Sequence, residues 1–425
     1  MTSVISVREY ARLTTEHVAK PSLDHAQIPA SAFDWLCNLS STFSRSGAAL
    51  VQIEGRRWLR LDNYVGVIET PCGTKLEILP KHVDGGDILE ASRKLLQRMI
   101  AASLNLPARI AGEASLRLFD APLSEWIMER FLIALDQLIK RGIRSDYVRI
   151  EAQERYLRGR LDLVRQVRQP AGRQHILQIE HDILVPDRPE NRLLKTALEI
   201  VAKHVQLPNN WRLAQNLRIL LQEIPSSVDI SADFKRWTKD RLMAHYQPIL
   251  PWCELILYRQ MPLSLVGQWR GISMLFPMER LFERYVAASL NMVLAPDAKL
   301  VTQAASQSLC SHDGGTMFQL RPDLLIERGS QRWLLDAKWK RINQNEKSSN
   351  YRISQSDFYQ MFAYGKKYLQ GAGELALIYP RHAGFSNPLP VFSFDNDLRL
   401  WALPFDLDSG SLLLASGSTL PLCYL

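Results

Sequence analysis

Between Ala48 and Pro80 the apolar residues come in short runs bounded by Pro and Gly: Trp58-Leu59-Arg60-Leu61, Tyr64-Val65-Gly66-Val67-Ile68 and Leu76-Glu77-Ile78-Leu79. Pro71-Cys72-Gly73-Thr74 separates the last two, and the pattern predicts an antiparallel hairpin. Asp84-Gly85-Gly86 then break the chain. From about Ile88 to Ile143 the period lengthens. Leu123, Trp126, Ile127, Phe131, Ala134, Leu135 and Leu138 recur three and four apart, one face of a helix. A basic, partly extended stretch from Lys140 to Asp162 follows, then a strand-like His175–Leu184. Asn191 is placed to cap a helix carrying Leu193, Leu194, Ala197, Leu198 and Val201, and a further helix spans about Trp211–Gln222. Pro248, Pro251, Pro262 and Gly267 mark a boundary.

The last third has a more definite order. Pro277 suits the first turn of a helix whose apolar stripe is Leu281, Phe282, Tyr285, Val286 and Val293, with Glu283 at its edge. A strand over Met317–Ile326 leads through Glu327-Arg328-Gly329-Ser330 into a second strand at Trp333-Leu334-Leu335. Ser354 or Ser356 caps a helix running to about Leu369, and strands follow at Leu375–Tyr379, Val391–Phe394 and Leu398–Pro404. The expected fold class is therefore α/β and α+β, in several domains. Residues 1–115 form a β-rich or mixed domain suited to docking a partner, 116–265 a mainly helical middle region with a basic extended stretch, and 266–425 a mixed sheet flanked by helices. No internal repeat is present, and Thr15–Gly47 matches no assignable pattern.

Composition adds a bias toward polyanions: the 425 residues carry a formal net charge of +8, with a pI of about 9.2. Lys and Arg displace counterions from phosphates, although a solvated basic surface accounts for the charge equally well. The five cysteines form no CxxC pair, which disfavours a disulfide framework or zinc ribbon and suits a reducing compartment. The N-terminus lacks the charged and apolar regions of a secretory signal. No apolar run approaches the roughly 18 residues that span a bilayer. The expected location is the cytoplasm, with no membrane association. GxxxxGK[ST], GxGxxG and HExxH are absent, so any nucleotide hydrolysis falls to another polypeptide.

The chemistry concentrates at Pro322-Asp323 and, twelve intervening residues later, Asp336-Ala337-Lys338. Phosphodiester hydrolysis needs a hard cation beside the scissile phosphate, and carboxylates at the ends of adjacent strands can hold Mg²⁺. Lys338 lies two residues beyond Asp336, hence on the same face of a strand, where its ammonium can lean on the attacking water or the phosphate. As letters the pattern is weak. Pro186-Asp187, Pro296-Asp297, Asp233-Phe234-Lys235 and Asp297-Ala298-Lys299 repeat its parts, and an ordinary surface hairpin with charged ends reads the same way. Context favours Asp323 and Asp336, each beside an apolar strand run. Gln360 and Tyr364 lie four apart on one helical face, with Asp357 joining them. Glu283, or less strongly Glu279, supplies a further carboxylate; in isolation Glu283 reads as a helix-surface partner of Arg280 or Arg284.

Gln360 and Tyr364, after the DxK strand, resemble the QxxxY signature of RecB-like nucleases, where those residues help position metal and DNA. The set Met278–Val286, Arg321-Pro322-Asp323, Asp336-Ala337-Lys338-Trp339-Lys340 and Tyr359–Tyr364 is similar to the McrC family, nuclease subunits of 5-methylcytosine-specific restriction systems. Tyr64–Ile68 with Leu76–Lys81, Leu157–Asp162 and Pro189–Lys195 resemble the family's upstream segments, so the likeness touches most of the chain. It implies a PD-(D/E)xK restriction-endonuclease-like core in the last third, with metal ligands Asp323, Asp336 and Glu283, Lys338 assisting the nucleophile, and Gln360 and Tyr364 shaping the site. It also implies Mg²⁺, with Mn²⁺ as an alternative, and double-stranded DNA as substrate. The partner would be an AAA+ GTPase ring resembling McrB, which uses GTP that this chain does not bind. Two other readings stand beside it: a non-cutting scaffold that activates the AAA+ partner, and a stand-alone repair nuclease of RecB type.

Overall fold

A computed structural model of the chain describes residues 4–43, 50–55, 57–81, 89–104, 123–238, 240–257, 274–394 and 397–423. The chain divides into two compact units, one of Met1–Leu123 with Met261–Leu425, the other of Ser124–Gln260. The Asp84-Gly85-Gly86 break and the Pro262 and Gly267 boundary marks lie outside the described residues.

In the first unit, Tyr64–Glu69 and Lys75–Leu79 form the expected antiparallel hairpin. The structure adds two flanking strands: Val4–Arg8 runs parallel to Lys75–Leu79, and Met274–Pro277 runs antiparallel to Tyr64–Glu69. A segment far along the sequence thus shares a sheet with the first residues of the chain. Gly66 permits that pairing. A Cβ there would sit 1.9 Å from the Met274 carbonyl oxygen, and its φ of +132° is one that L side chains rarely adopt. Trp58–Leu61 departs from the expected hairpin. It joins a separate sheet with Val51–Glu54, Arg12–Thr14 and His25–Gln27. Part of the unassigned Thr15–Gly47 segment is thereby accounted for, as strand His25–Gln27 and helix Ala30–Phe43.

The last third builds a seven-stranded mixed sheet. Its order runs Lys299–Thr302, Leu324–Arg328, Gln331–Ala337, Gly373–Pro380, Leu398–Asp406 and Phe392–Ser393, with Ser411–Leu412 beside Leu398–Asp406. Leu324–Arg328 and Gln331–Ala337 pair antiparallel, whereas Gln331–Ala337 and Gly373–Pro380 run parallel. The parallel step requires a crossover, supplied by helix Gln355–Tyr368. That helix covers one face, where Met361, Tyr364 and Tyr368 pack with Leu325, Leu334, Leu375 and Leu400. Helix Met278–Val293 meets the sheet through Phe282 and Tyr285, whose rings lie 5.9 and 5.5 Å from that of Phe405. Two expectations shift here. Pro277 ends a strand and precedes the helix instead of lying in its first turn. The single strand over Met317–Ile326 is two: Gly315–Leu320 pairs with Gln307–His312, and Leu324–Arg328 joins the main sheet. The break falls at Arg321-Pro322-Asp323, because proline has no N–H to give to a ladder.

The second unit combines a three-stranded sheet, Asp146–Glu154, Leu177–Val185 and Arg160–Leu161, with helices Pro189–His204, Pro208–Leu220, Ile230–Arg236 and Leu250–Leu257. Gly159 has the constraint of Gly66, since a Cβ would stand 2.3 Å from the Glu180 carbonyl oxygen. Asn191 is not the helix cap. The helix starts at Pro189 with Arg188 in the cap position, and Asn191 is buried. Its amide donates 2.8 Å bonds to the Arg144 and Pro186 carbonyls, and its Oδ1 accepts from the Tyr246 hydroxyl at 2.8 Å. A buried amide must satisfy its hydrogen bonds internally, so Asn191 ties three segments together.

Candidate active site

The register that pairs Leu324 with Leu335 leaves Asp323 beside Asp336. Leu325 and Leu334 both pack under helix Gln355–Tyr368, so strand alternation puts Asp323 and Asp336 on that same face. Oδ2 of Asp323 accepts from the Ala337 amide at 2.9 Å, which locks the Pro-Asp turn to the neighbouring strand end. Asp336 is 1% exposed. Its Oδ2 lies 2.6 Å from Nζ of Lys338, a close ion pair at a buried carboxylate. Lys338 Nζ also donates to Oε1 of Gln360 at 3.1 Å. Gln360 Nε2 donates to the Tyr364 hydroxyl at 2.8 Å, and that hydroxyl donates to the Arg321 carbonyl at 2.9 Å. Gln360 thus aims the lysine, and Tyr364 braces the turn that presents Asp323. Asp357, also buried, holds Lys340 at 2.9 Å.

Glu283 enters from helix Met278–Val293, while Glu279 on the same helix is exposed. The link between Glu283 and the aspartates is Gln303, whose Nε2 donates to Oε1 of Glu283 at 2.6 Å and to Oδ1 of Asp323 at 3.2 Å. Its backbone amide also donates to the Asp323 carbonyl at 2.9 Å. Gln303 holds φ at +51°, in the left-handed region where a side chain is strained. No motif marks this residue; it is an ordinary Gln after a short strand, and only the tertiary structure reveals it.

Crowding shows in the acidities. Burial first, then the charges of Asp336 and Glu283, push the Asp323 carboxyl up from 3.8 to about 7. Burial likewise raises Asp336 against the opposing pull of Lys338. Burial also raises Glu283, against the Gln303 hydrogen bond and with the help of Asp336. For Lys338 burial works against the charge, but Asp336 and Asp323 outweigh it and hold the ammonium above its ordinary value. The raised Asp323 has a consequence for stability. In the unfolded chain it ionises near 3.8, and in the folded chain only near 7, so folding loses stability as pH rises through that window. Asp323→Asn removes the penalty. In chelator, the variant is expected to melt higher than the parent near pH 8 and level with it near pH 4, which thermal melts will read.

Residues 59–380 match the family of the McrBC 5-methylcytosine restriction system component. The chain belongs to the McrBC family. Among solved structures, one similar chain comes from the Thermococcus gammatolerans half-complex of McrB AAA+ hexamers with bound McrC, refined from a tetradecameric assembly. It shares 17% identity over 97% of each chain, with a TM-score of 0.72. A chain of the cryo-EM McrBC complex from the same organism shares 18% identity, covering 68% of this chain and 87% of that one, with a TM-score of 0.53. These likenesses concern the fold. No curated protein matches.

In this McrBC-family chain the look-alike motifs resolve elsewhere. Asp187 pairs with Arg192 at 2.8 Å, Asp233 accepts from the Ser227 hydroxyl at 2.6 Å, and Asp297 pairs with Arg328 at 2.7 Å. Glu283, Asp323, Asp336, Lys338, Gln360 and Tyr364 form one connected set, with Gln303 as the added member. On the reading of these carboxylates as metal ligands, Gln303→Ala is expected to lower turnover about 10- to 100-fold, the usual cost of removing a group that orients ligands. Single-turnover cleavage rates against a melting-temperature control test this.

Proposed function

We propose that this chain is the cutting subunit of a modification-dependent restriction complex, a metal-dependent endonuclease acting on double-stranded DNA in the cytoplasm. The observation that carries the reading is the convergence of Asp323, Asp336 and Lys338 on one sheet face, with Glu283 tied in through Gln303. The seven-stranded mixed sheet, with its crossover helix, is read as a PD-(D/E)xK core.

The residues fit Mg²⁺. Among the described residues no three His, Cys, Asp or Glu side chains are grouped so as to enclose a metal by themselves. Mg²⁺ does not need such a cage; it takes one or two carboxylates, keeps several waters and leaves positions for phosphate oxygens. Two crowded, buried carboxyls whose pKa values are both raised suit a dication that relieves their repulsion. Asp323 and Asp336 would hold the ion, with Glu283 as third ligand, and Mn²⁺ could replace it. When bound, the ion supplies Lewis-acid activation of the phosphoryl group and of the attacking water. Lys338, fixed by Gln360, would steady the nucleophile and the charge growing on the phosphate.

The partner proposed is an AAA+ GTPase ring, in keeping with the hexamers bound to McrC in the similar assembly. That ring would use the GTP, since this chain has no Walker A loop. All five cysteines are free, in keeping with a reducing compartment, and no helix among the described residues is long and apolar enough to cross a membrane. The deciding experiment is plasmid cleavage by the purified chain with and without a McrB-like protein, GTP and Mg²⁺. Cutting only when all are present supports the proposal. Robust cutting by the chain alone points to a stand-alone nuclease, and GTPase stimulation without cutting points to a scaffold.

A further inference from the structure

One residue past Lys338, about 3.8 Å along the backbone, the chain enters the wall of a cavity. It measures about 290 Å³ and is lined by Glu9, Tyr10, Lys81, Trp339, Lys340, Arg341, Pro380 and His382. None of these belongs to the carboxylate set. Two walls are aromatic, Tyr10 and Trp339, and Pro380 adds a third apolar surface. Tyr10 holds φ at +63°, strained for a side chain, and Arg60 lies 5.5 Å from its ring centre. Backbone strain retained at a cavity wall is a feature of ligand clamps.

Glu9 is the polar element. It is 1% exposed. Its Oε1 accepts from the Lys81 amide at 2.8 Å and from Nε1 of Trp339 at 2.9 Å, so the carboxyl is held rigidly. Its Oε2 has no hydrogen-bond partner among the described residues. A buried carboxylate oxygen left without a donor is costly, and that cost is removed if a ligand brings one. Lys81, Lys340 and Arg341 add cationic groups to the lining, suited to a backbone phosphate. Trp339 and Lys340 follow directly on Lys338, just past the end of the strand that carries Asp336, so the cavity wall and the carboxylate set share one stretch of chain.

We propose that this cavity receives one unstacked nucleobase bearing an exocyclic amino group, from the DNA strand being cut, between Tyr10 and Trp339 with its amino group donating to Glu9 Oε2. The proposal rests on the nuclease reading above. Aromatic faces accept a base by stacking, a carboxylate reads an exocyclic amine, and an enzyme acting on duplex DNA can extrude a base into a pocket of this kind. Insertion would anchor the strand next to the scissile phosphate.

The test is photocrosslinking of the full-length chain, in Ca²⁺ to hold back cleavage, to duplexes carrying 5-iododeoxycytidine or 5-iododeoxyuridine, with mass-spectrometric mapping. The expected result is a crosslink at Tyr10 or Trp339, stronger for the cytosine analogue, which alone has the amino group. Tyr10→Ala should keep the parent melting temperature, lose that crosslink, and cut about tenfold more slowly in the assembled system. Tyr10→Phe, which keeps the ring, should restore both. Crosslinks confined to other segments, together with undiminished cutting by Tyr10→Ala, would overturn the cavity assignment and leave the nuclease reading intact. A chain that neither binds nor cuts DNA in any combination overturns both.

Discussion

Asp336→Ala is expected to lower DNA cleavage on the order of a thousandfold or more, while leaving assembly with the proposed AAA+ partner and any stimulation of its GTPase largely unchanged. A bound metal supplies several kcal/mol of transition-state stabilisation, and each 1.36 kcal/mol is a factor of ten in rate. Asp336 is the more buried of the two aspartates and has Lys338 beside it, so its loss removes both a proposed metal ligand and the charge that holds the ammonium. The fold should survive. Burial already raises the Asp336 carboxyl, so the ionised side chain is a strain on the folded state. Plasmid nicking under single-turnover conditions, run beside a GTPase assay, separates the two outputs. Parent-level cutting by this variant would mean that the carboxylate set is not the catalytic centre.

Arg93→Ala is expected to destabilise the first unit by about 3–5 kcal/mol. Glu77 has a fully buried side chain. It receives Nε and NH2 of Arg93 at 3.0 and 2.6 Å and the Ser6 hydroxyl at 2.8 Å. Removing the guanidinium leaves an ion without its counter-charge in a medium that solvates it poorly. Against a total domain stability of about 5–15 kcal/mol, that is a large fraction. The double variant Glu77→Leu, Arg93→Met should recover most of the loss, because replacing both members with apolar groups of similar size removes the charge along with its partner. Denaturant melts of the parent, the single variant and the double variant check this. A single variant within about 1 kcal/mol of the parent would show that water reaches Glu77 once Arg93 is gone.

Much of the candidate site was legible because strand chemistry is local. Pro322-Asp323 and Asp336-Ala337-Lys338 stood beside apolar runs, and alternation alone put Asp336 and Lys338 on one face. Gln360 and Tyr364 were legible for the same reason, through helical spacing. Gln303 was not. Its role comes from reaching two carboxylates that lie twenty residues away on either side, and nothing in its neighbours reports that. Asn191 illustrates the opposite error. A polar residue ahead of an apolar stripe reads as a cap, yet its bonds run to Arg144, Pro186 and Tyr246, because the turn at Pro189 had already started the helix.

The sequence by itself determined the hairpin at Tyr64–Leu79, the main helices, the mixed sheet of the last third and most of the acidic site, since each depends on period, turn chemistry or spacing within one short segment. Only the tertiary structure decided that Met274–Pro277 completes a sheet begun by Val4–Arg8, that Glu77 is a buried ion and not a surface one, and that Glu9 lines a cavity beside the end of the Asp336 strand. Those facts concern pairs of residues far apart along the chain. Their energies come from burial and from hydrogen bonds closed across long loops, which no local pattern encodes.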